Sequence, residues 1–275
     1  MTGIVLLTGA TGFVGRQVLR ALVARGIRIR TVVRDGKQSL LAPLAAIESV
    51  VTTPDLFAEN ADWWTAVCKG IDTVIHIAWY AEPDKYLQSS KNFDCLIGTL
   101  QLAKGAAQAG VRRLIGTGTC IEYDLTGGML SVDTPLRPLT PYAEAKATTF
   151  TALSQWLPRQ SVEFAWCRLF YLYGEGEDAR RLVPYLREKL TAGESAELTG
   201  GSQIRDFLDV TEAGQMIAQT ALGKEQGPVN ICSGIPITIR QLAEQIADEY
   251  GRRDLLKFGA RPDNLLEPPS VVGIR

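Results

Sequence analysis

The stretch TGATGFVG near the start of this 275-residue chain constrains the fold more than any other feature. It sets Gly9, Gly12 and Gly15 in a GxxGxxG arrangement. An apolar run at 3–8 precedes these glycines, and a segment at 13–25 with apolar residues at helical spacing follows them. Glycine at these positions permits a tight turn, leaves the backbone open to a ligand and lets a helix pack close to a strand. The pattern therefore predicts a buried strand that turns directly into a helix.

Strand-like and helix-like segments alternate along most of the chain, which predicts an α/β fold with a doubly wound, Rossmann-like parallel sheet. The predicted strands are 3–8, 28–33, 47–52, 72–77, 112–117 and 162–169, and the predicted helices are 13–25, 59–69, 87–109, 141–157 and 178–192. After about residue 172 the alternation is less strict. We therefore expect a dinucleotide-binding domain over 1–172 and a smaller substrate-binding portion over 173–275, interleaved with the first. The proline-rich tail from Arg261 to Arg275 is expected to be either an ordered flap or loose.

Charge and composition exclude several classes of protein. The net charge is -1 and the basic residues are scattered, so no field directs the chain to nucleic acid or to an anionic membrane. No apolar run reaches the length of a membrane span, and the N-terminus is interpreted as a strand and not as a signal peptide. The five cysteines are widely spaced and lack a CxxC pair, so we expect no disulfide framework, no metal site and a cytoplasmic location.

The glycine turn and the end of the second predicted strand together indicate a dinucleotide site. The helix N-terminus after the turn offers free N–H groups to phosphates. The second strand ends in VVRDGK, where Arg34 can pair with a 2′-phosphate. Asp35 could instead accept the ribose 2′-hydroxyl of NAD. NADP(H) is favoured and NAD(H) stays open.

A second motif supplies proton chemistry. PYAEAK places Tyr142 and Lys146 four residues apart on one helix face. An ammonium near a phenol favours the phenolate, so we expect Lys146 to lower the pKa of Tyr142 towards neutrality. The fifth predicted strand ends with Thr117 and Thr119, and either hydroxyl could face a ligand at the carboxyl edge of the sheet.

Taken together, these motifs resemble the extended short-chain dehydrogenase/reductase family, in its NAD(P)-dependent nucleotide-sugar epimerase/dehydratase branch. The resemblance also covers TPDL, VIHIAWYA, GTGTCIEY, CRLFYLYG, RDFLDV and PVNICSGIPITIRQLAE. It implies a homodimer formed through 87–109 and 141–157. It implies a catalytic trio of Thr119, Tyr142 and Lys146, and substrate contacts from Thr119, Tyr142 and Arg205. The cofactor contacts that it implies are Gly9, Thr11, Gly12, Phe13, Val14, Gly15, Arg34, Asp55, Leu56, Ala78, Trp79, Thr117, Tyr142, Lys146 and Phe170.

At several positions this chain has a residue that differs from the family pattern, and these differences reduce the number of reactions that it could catalyse. Cys120 and Ile121 stand where the 4,6-dehydratases of the family have an Asp-Glu pair, which disfavours dehydration. Glu122 is expected to point the other way along the strand. The single histidine, His76, is interpreted as a packed core residue beside the cofactor and not as a base. Cys95 stands where the family often has an asparagine that contacts the cofactor.

Three functions stay open at this point. The first is reduction of a nucleotide-activated 4-keto-6-deoxy sugar by NADPH, with Tyr142 as proton donor. In that hypothesis Arg205, and also Arg180 or Arg181, would hold the diphosphate. The second is a nucleotide-sugar 4-epimerase that retains NAD. The third is a regulator that binds the dinucleotide without turnover.

Overall fold

The computed structural model describes residues 3–41, 46–264 and 267–275. In chain order the strands are β1 (Ile4–Thr8), β2 (Ile29–Arg34), β3 (Ile47–Thr53), β4 (Ile71–His76), β5 (Arg113–Thr119), β6 (Met129–Leu130), β7 (Glu163–Leu169), β8 (Tyr171–Tyr173), β9 (Ala196–Leu198), β10 (Ile204–Asp209), β11 (Gly227–Ile231), β12 (Pro236–Thr238), β13 (Leu256–Phe258) and β14 (Ser270–Gly273). The helices are α1 (Phe13–Val23), α2 (Ala61–Val67), α3 (Lys91–Gln108), α4 (Pro141–Trp156), α5 (Leu182–Ala192), α6 (Val210–Leu222) and α7 (Ile239–Glu249).

Among the described residues, seven strands form one parallel sheet in the order β11-β7-β5-β4-β1-β2-β3. The chain builds outward from β1 through β2 and β3, then crosses back to β4 and builds in the opposite direction. The strand order therefore reverses between β1 and β4, which is where open α/β sheets form a ligand crevice at the carboxyl ends of their strands. The predicted doubly wound, Rossmann-like sheet is confirmed.

Helices cover both faces of the central strands, and successive residues of each strand pack to opposite sides. Leu7 packs with Leu22 of α1 and Ile217 of α6 on one face. Leu6 packs with Trp64 of α2 on the other face, where α3 and α4 also lie. Continuous apolar runs, and not alternating ones, are what such doubly covered strands require.

The later part of the chain contributes to two layers. The strand β11 pairs with β7 at the edge of the large sheet, and α6 packs against α1. A smaller sheet has the order β12-β10-β14-β6, with β8 also paired to β10. The helices α5 and α7 form a separate core beside it. Residues 173–275 thus supply both the last strand of the large sheet and most of a second unit. None of the helices in the described part of the chain is long and apolar enough to cross a membrane.

Two predicted helices begin later in the structure than expected, and one of the two alternatives for the tail is found. The helix predicted at 87–109 begins at Lys91, because a 3-10 turn at Tyr86–Gln88 precedes it. The helix predicted at 178–192 begins at Leu182. The tail from Arg261 to Arg275 is ordered at its end, where β14 lies between β10 and β6. Leu265 and Leu266 of that tail lie outside the described residues.

The contact between α2 and α3 yields a stability prediction. A Cβ on Gly105 of α3 would lie 2.4 Å from the Cβ of Trp64 and 2.5 Å from the carbonyl oxygen of Ala61. Gly105→Ala should therefore lower the free energy of unfolding by about 1–3 kcal/mol, the usual cost of overpacking, although alanine favours helix. Urea denaturation measures this change. Gly127→Ala is the control, since a Cβ there meets nothing within 4 Å. Equal stabilities for the two variants would contradict the prediction.

Candidate active site

The turn after β1 is shaped by two glycines that leave no room for a side chain. Gly9 has a φ of +75°, and a Cβ there would lie 2.8 Å from the backbone nitrogen of Ala78. A Cβ on Gly15 would lie 2.0 Å from the carbonyl oxygen of Gly9. The predicted tight turn and the predicted close approach of α1 to β1 are thereby confirmed.

The N-terminus of α1 is open to an anion. Gly12 is its N-cap, and among the described residues no side chain caps the first turn, which starts with Phe13 and Val14. A Cβ on Gly12 would have Gly9 as its nearest neighbour, with the carbonyl oxygen at 3.3 Å. Thr11 is half-buried beside it. Unpaired N–H groups and the positive end of the helix dipole meet here, so these residues fit the phosphates of a dinucleotide.

The end of β2 presents charged groups to the same edge of the sheet. Arg34 is exposed and stands opposite Thr53, the last residue of β3. Within the described ranges its guanidinium forms no hydrogen bond or ion pair, and neither does the carboxylate of Asp35. The chain after β3 carries Asp55, which is exposed, and Leu56, which is half-buried. The predicted adenosine-side residues therefore come from two adjacent strand ends.

His76 is a buried residue of β4, 2% exposed. Its Nδ1 is 2.8 Å from the hydroxyl oxygen of Thr8, and its Nε2 is 3.0 Å from that of Thr99. Burial lowers the pKa of His76 to about 3, with a smaller contribution from the Lys146 ammonium. The imidazole is neutral at physiological pH and has both nitrogens occupied. The interpretation of His76 as a core residue is confirmed.

The segment after β4 is tied to α3. The indole Nε1 of Trp79 donates to the Asn92 side chain at 2.9 Å, and the Asn92 amide donates to the carbonyl oxygen of Tyr86. The Cys95 thiol accepts from the backbone nitrogen of Tyr80 at 3.4 Å. Asn92 and Cys95 therefore hold the loop that carries Trp79.

The two threonines at the end of β5 differ in their hydrogen-bond partners. The Thr117 hydroxyl donates to the carbonyl oxygen of His76 at 3.3 Å, so it is used within the sheet. The Thr119 hydroxyl accepts from the backbone nitrogen of Ile121 and interacts with the Tyr142 phenol. Of the two candidates, Thr119 is the one beside the tyrosine.

The helix α4 brings the remaining two members of the predicted trio to this point. Thr140 caps the helix by accepting from the backbone nitrogen of Ala143 at 3.2 Å, which fixes Tyr142 in the first turn. One turn later, Lys146 is 3% exposed. Its ammonium donates to the carbonyl oxygen of Thr117 at 2.6 Å and lies 3.8 Å from the ring centroid of Trp79.

The electrostatics of this pair correct the sequence expectation. Burial raises the pKa of Tyr142, and the neighbouring Tyr86 and Glu122 raise it further. Burial lowers the pKa of Lys146 to about 7, while Glu122 opposes that effect. The Lys146 ammonium lies 6.0 Å from the centroid of the Tyr142 ring. The expected lowering of the tyrosine pKa is wrong, because burial moves both groups towards their neutral forms.

Tyr86 and Tyr171, which the sequence motifs did not single out, lie with the predicted Trp79 around Tyr142. The ring of Tyr86 meets it edge-on with centroids 4.8 Å apart, and Trp79 does so at 6.4 Å. Tyr171, at the start of β8, is close enough to Tyr86 and Cys120 for their charges to raise its pKa, although burial is the main cause. Tyr171 follows the carboxyl end of β7 closely, which was an available signal, whereas Tyr86 lies in a 3-10 turn ten residues after β4 and gave none.

Two of the predicted arginines lie near the aromatic rings of Tyr86 and Tyr171. Arg205 is 3% exposed and lies 5.3 Å from the ring centroid of Tyr171. Its guanidinium donates to the carboxylate of Glu267 at 3.0 Å. Arg181 lies 5.7 Å from the ring centroid of Tyr86, and Arg180 pairs with an aspartate within its own loop.

The residues that flank the trio are mostly packed. Phe170 is 6% exposed and belongs to a core cluster with Cys120. Burial raises the pKa of the Cys120 thiol to about 12. All five cysteines are free and buried, and the described residues hold no group of three or more histidine, cysteine or acidic side chains that could bind a metal.

Glu122 corrects another expectation. The strand ends at Thr119, and a 3-10 turn at Cys120–Glu122 replaces the extended backbone that the prediction assumed. The Glu122 carboxylate turns back under the strand end and accepts from the backbone nitrogen of Thr119 at 2.7 Å. Strand alternation does not continue through such a turn, so the side chain folds back beneath the strand end, where it is buried against Trp166 and Arg168.

Comparison with known proteins agrees with this geometry. The NAD dependent epimerase/dehydratase family model matches residues 5–232. A dTDP-6-deoxy-L-talose 4-dehydrogenase (NAD(+)) from Aggregatibacter actinomycetemcomitans is 23% identical over 98% of this chain and 99% of its own length. A dTDP-glucose 4,6-dehydratase from Streptomyces niveus is 25% identical over 90% of this chain and 77% of its own.

The structure is also similar to a solved one. That structure is UDP-N-acetylglucosamine 4-epimerase from Methanobrevibacter ruminantium M1 in complex with UDP-N-acetylmuramic acid, with a TM-score of 0.86 and 21% identity. The match covers 99% of this chain and 89% of that chain. At this identity the likeness shows the fold.

Proposed function

Because the chain belongs to the NAD-dependent epimerase/dehydratase family, we propose that it is an NADPH-dependent reductase of a nucleotide-activated 4-keto-6-deoxy sugar. The observation that carries this proposal is the grouping of the Tyr142 phenol, the Thr119 hydroxyl and the Lys146 amino group at the carboxyl end of β5. Reduction of a ketone needs one hydride and one proton, and this site offers one proton donor.

Each residue of the trio has a role in that reaction. Lys146 binds the ribose hydroxyls of the nicotinamide half, and the open N-terminus of α1 binds the phosphates. When bound, the dinucleotide supplies a hydride to the carbonyl carbon. Thr119 donates a hydrogen bond to the carbonyl oxygen, and Tyr142 transfers its proton to that oxygen as the C–O double bond becomes single. The burial that raises the pKa of Tyr142 keeps it in the form that donates.

The other chemistries of the family are less well supported by these residues. Dehydration requires an acid and a base directly after Thr119, and Cys120 and Ile121 stand there. The curated 4-dehydrogenase that matches along its whole length acts at carbon 4 of a 6-deoxy sugar, and the reverse of that reaction is a 4-keto reduction. This supports the reductase over the dehydratase.

The second candidate is a 4-epimerase, which the similar fold of the solved 4-epimerase favours. A reductase consumes one NADPH per 4-keto sugar nucleotide, whereas an epimerase returns the hydride and consumes none. Absorbance at 340 nm with a 4-keto-6-deoxy sugar nucleotide therefore separates the two. A dinucleotide-binding regulator would give neither turnover nor epimerised product.

We further propose that residues 173–275 supply much of the sugar-nucleotide pocket. Arg205 is placed to hold the diphosphate, provided that Glu267 releases it. Tyr171, two residues before this portion begins, would offer an apolar face to the sugar. The five unpaired cysteines also support the cytoplasm as the compartment of this enzyme.

The first test concerns the trio. Tyr142→Phe and Thr119→Val should each retain NADPH binding and lose turnover, by roughly 10²–10⁴-fold for the tyrosine, since they remove the proton and a hydrogen bond to the oxygen. Thr117→Val is the matched control, because its hydroxyl is used within the sheet. Steady-state kinetics measure the effect. Turnover of Tyr142→Phe within a few-fold of the wild type would disprove its role.

The choice of NADPH depends on Arg34, while the 4-dehydrogenase relative is named for NAD(+). The exposed Arg34 guanidinium is available to a 2′-phosphate, and a charge-assisted contact contributes about 1.5–3 kcal/mol. Arg34→Ala should therefore weaken NADPH binding roughly 10–100-fold and leave NADH binding within a few-fold. Fluorescence titration measures both affinities. Arg28→Ala, just before β2, is the control, and equal losses for both cofactors would remove the case for NADPH.

We also propose a homodimer through α3 and α4. Phe93 and Ile97 lie one turn apart on α3 and are 62% and 57% exposed, and Leu139 before α4 is 77% exposed. A groove between the helices is lined by Phe93, Leu139 and Pro141. A contiguous exposed apolar patch of this kind is typical of an interface between copies.

Ile97→Asp should convert the dimer to a monomer, because a carboxylate would be buried without a partner. Light scattering after size exclusion measures the mass. Ile235→Asp is the control, since Ile235 is 68% exposed elsewhere. A monomeric wild type, or an Ile97→Asp variant that stays dimeric, would contradict this interface.

A further inference from the structure

A fully buried carboxylate lies directly behind the catalytic strand end. Glu122 is 0% exposed. It accepts from the backbone nitrogen of Thr119 at 2.7 Å and from Nε of Arg168 at 2.8 Å. It also accepts from the indole Nε1 of Trp166 at 3.1 Å. Arg168 is 1% exposed, so the ion pair is excluded from water on both sides.

The strand end is built around this carboxylate. A Cβ on Gly118 would lie 2.3 Å from the Glu122 carboxylate and 2.2 Å from the Trp166 Nε1. Glu122 and Thr119 also form a reciprocal capping box, which fixes the backbone that presents the Thr119 hydroxyl. A buried ion pair stabilises a fold little compared with apolar residues of the same volume. Stability alone therefore does not account for it.

The indole of Trp166 lies between the Glu122 carboxylate and the Lys146 ammonium. The Lys146 ammonium lies 5.7 Å from the centroid of the Trp166 ring, whose N–H points to Glu122. An indole polarised by a carboxylate at its N–H presents a more negative face to a cation. Glu122 is also the larger of the two charges that raise the pKa of Lys146 against burial.

The other titratable groups around Lys146 are neutral at pH 7. Burial raises the pKa of Cys95, on α3, to about 11 and lowers that of His76, on β4, to about 3. The phenol of Tyr142, on the same helix, is protonated.

Burial raises the pKa of Glu122 as well. The Arg168 guanidinium, the Thr119 backbone N–H and the Trp166 indole N–H oppose that rise by stabilising the carboxylate. Among the described residues that influence Lys146, Glu122, paired with Arg168, is the group that supplies negative charge.

We propose that the Glu122–Arg168 pair is a positioning element of the active site. Glu122 anchors the strand end that presents Thr119, and it supplies the negative charge that keeps the buried Lys146 protonated for binding the nicotinamide ribose. This inference rests on the proposed function, because it assumes that Lys146 contacts the cofactor. Glu122 itself touches neither cofactor nor substrate.

The test is NADPH binding as a function of pH, measured by nicotinamide fluorescence without substrate. Glu122→Gln keeps the shape but removes the charge, so the Lys146 ammonium should lose its proton about one pH unit lower than in the wild type. At each pH we take the dissociation constant of NADPH for Glu122→Gln and divide it by that for the wild type. Titration of the 2′-phosphate affects both constants equally and cancels in this ratio. That ratio should rise from near one at about pH 5 to roughly tenfold above about pH 7.

A second variant guards against misfolding. Glu122→Gln leaves the Arg168 guanidinium buried without a counterion, which is costly. The double variant Glu122→Gln/Arg168→Met removes that group and should show a rise in the same direction. Glu163→Gln is the matched control, because it takes a carboxylate from the buried Arg113 at the opposite end of β5 and β7. Its ratio should stay near one at every pH.

The outcomes separate this proposal from the proposed function. In one outcome, wild-type binding depends on pH, Lys146→Met abolishes that dependence, and the ratio stays flat with pH in both Glu122 variants. This result overturns the role of Glu122 alone. Wild-type binding that Lys146→Met leaves unchanged overturns the role of Lys146 in the proposed function, and the Glu122 proposal with it. Loss of folding in both Glu122 variants would show that the pair serves the fold, and would also overturn the proposal.

Discussion

The close approach of α1 to the carbonyl of Gly9 is the constraint on which the rest of the site depends. With only 2.0 Å between that oxygen and the place of a Gly15 Cβ, no other residue lets the helix start where it does. The helix N-terminus is thereby directed at the carboxyl edge of the sheet. It lies where the strand order reverses between β1 and β4, so the crevice for phosphates and the ends of β4 and β5 share one edge. A helix that began one turn later would leave Thr119, Tyr142 and Lys146 without the proposed phosphate site beside them.

The sequence predicted the parts of this arrangement that depend on local pattern. The glycine turn, the apolar parallel strands and the i, i+4 spacing of Tyr142 and Lys146 follow from residue types at short separations. The tail behaved differently. Its strand β14 is only four residues long and exists because it pairs with β6 and β10, which lie far away in the chain. Such a strand leaves almost no periodic signal, because its stability comes from partners and not from its own sequence.

The chemistry of the site was harder to predict than its location. The spacing of Tyr142 and Lys146 shows that they share a helix face, but it does not show how much water reaches them. Burial proved to be the larger influence, and it reversed the expected direction of the tyrosine pKa. Glu122 was misplaced for a related reason. Alternation along a strand predicts direction only as far as the strand continues, and β5 ends at Thr119.

These two errors lead to one physical point about the site. Excluding water strengthens every interaction with the reacting carbonyl, but it also drives an ammonium and a phenol towards their uncharged forms. For Tyr142 this helps a reductase, since the neutral phenol is the proton donor. For Lys146 it is harmful, since a neutral amine loses the charge that strengthens its hydrogen bonds to hydroxyl oxygens. A site that excludes water and needs both a neutral Tyr142 and a charged Lys146 must therefore contain a buried, fixed negative charge. That charge must keep Lys146 protonated. In the proposed arrangement Glu122 meets that requirement, and the buried Arg168 balances its charge.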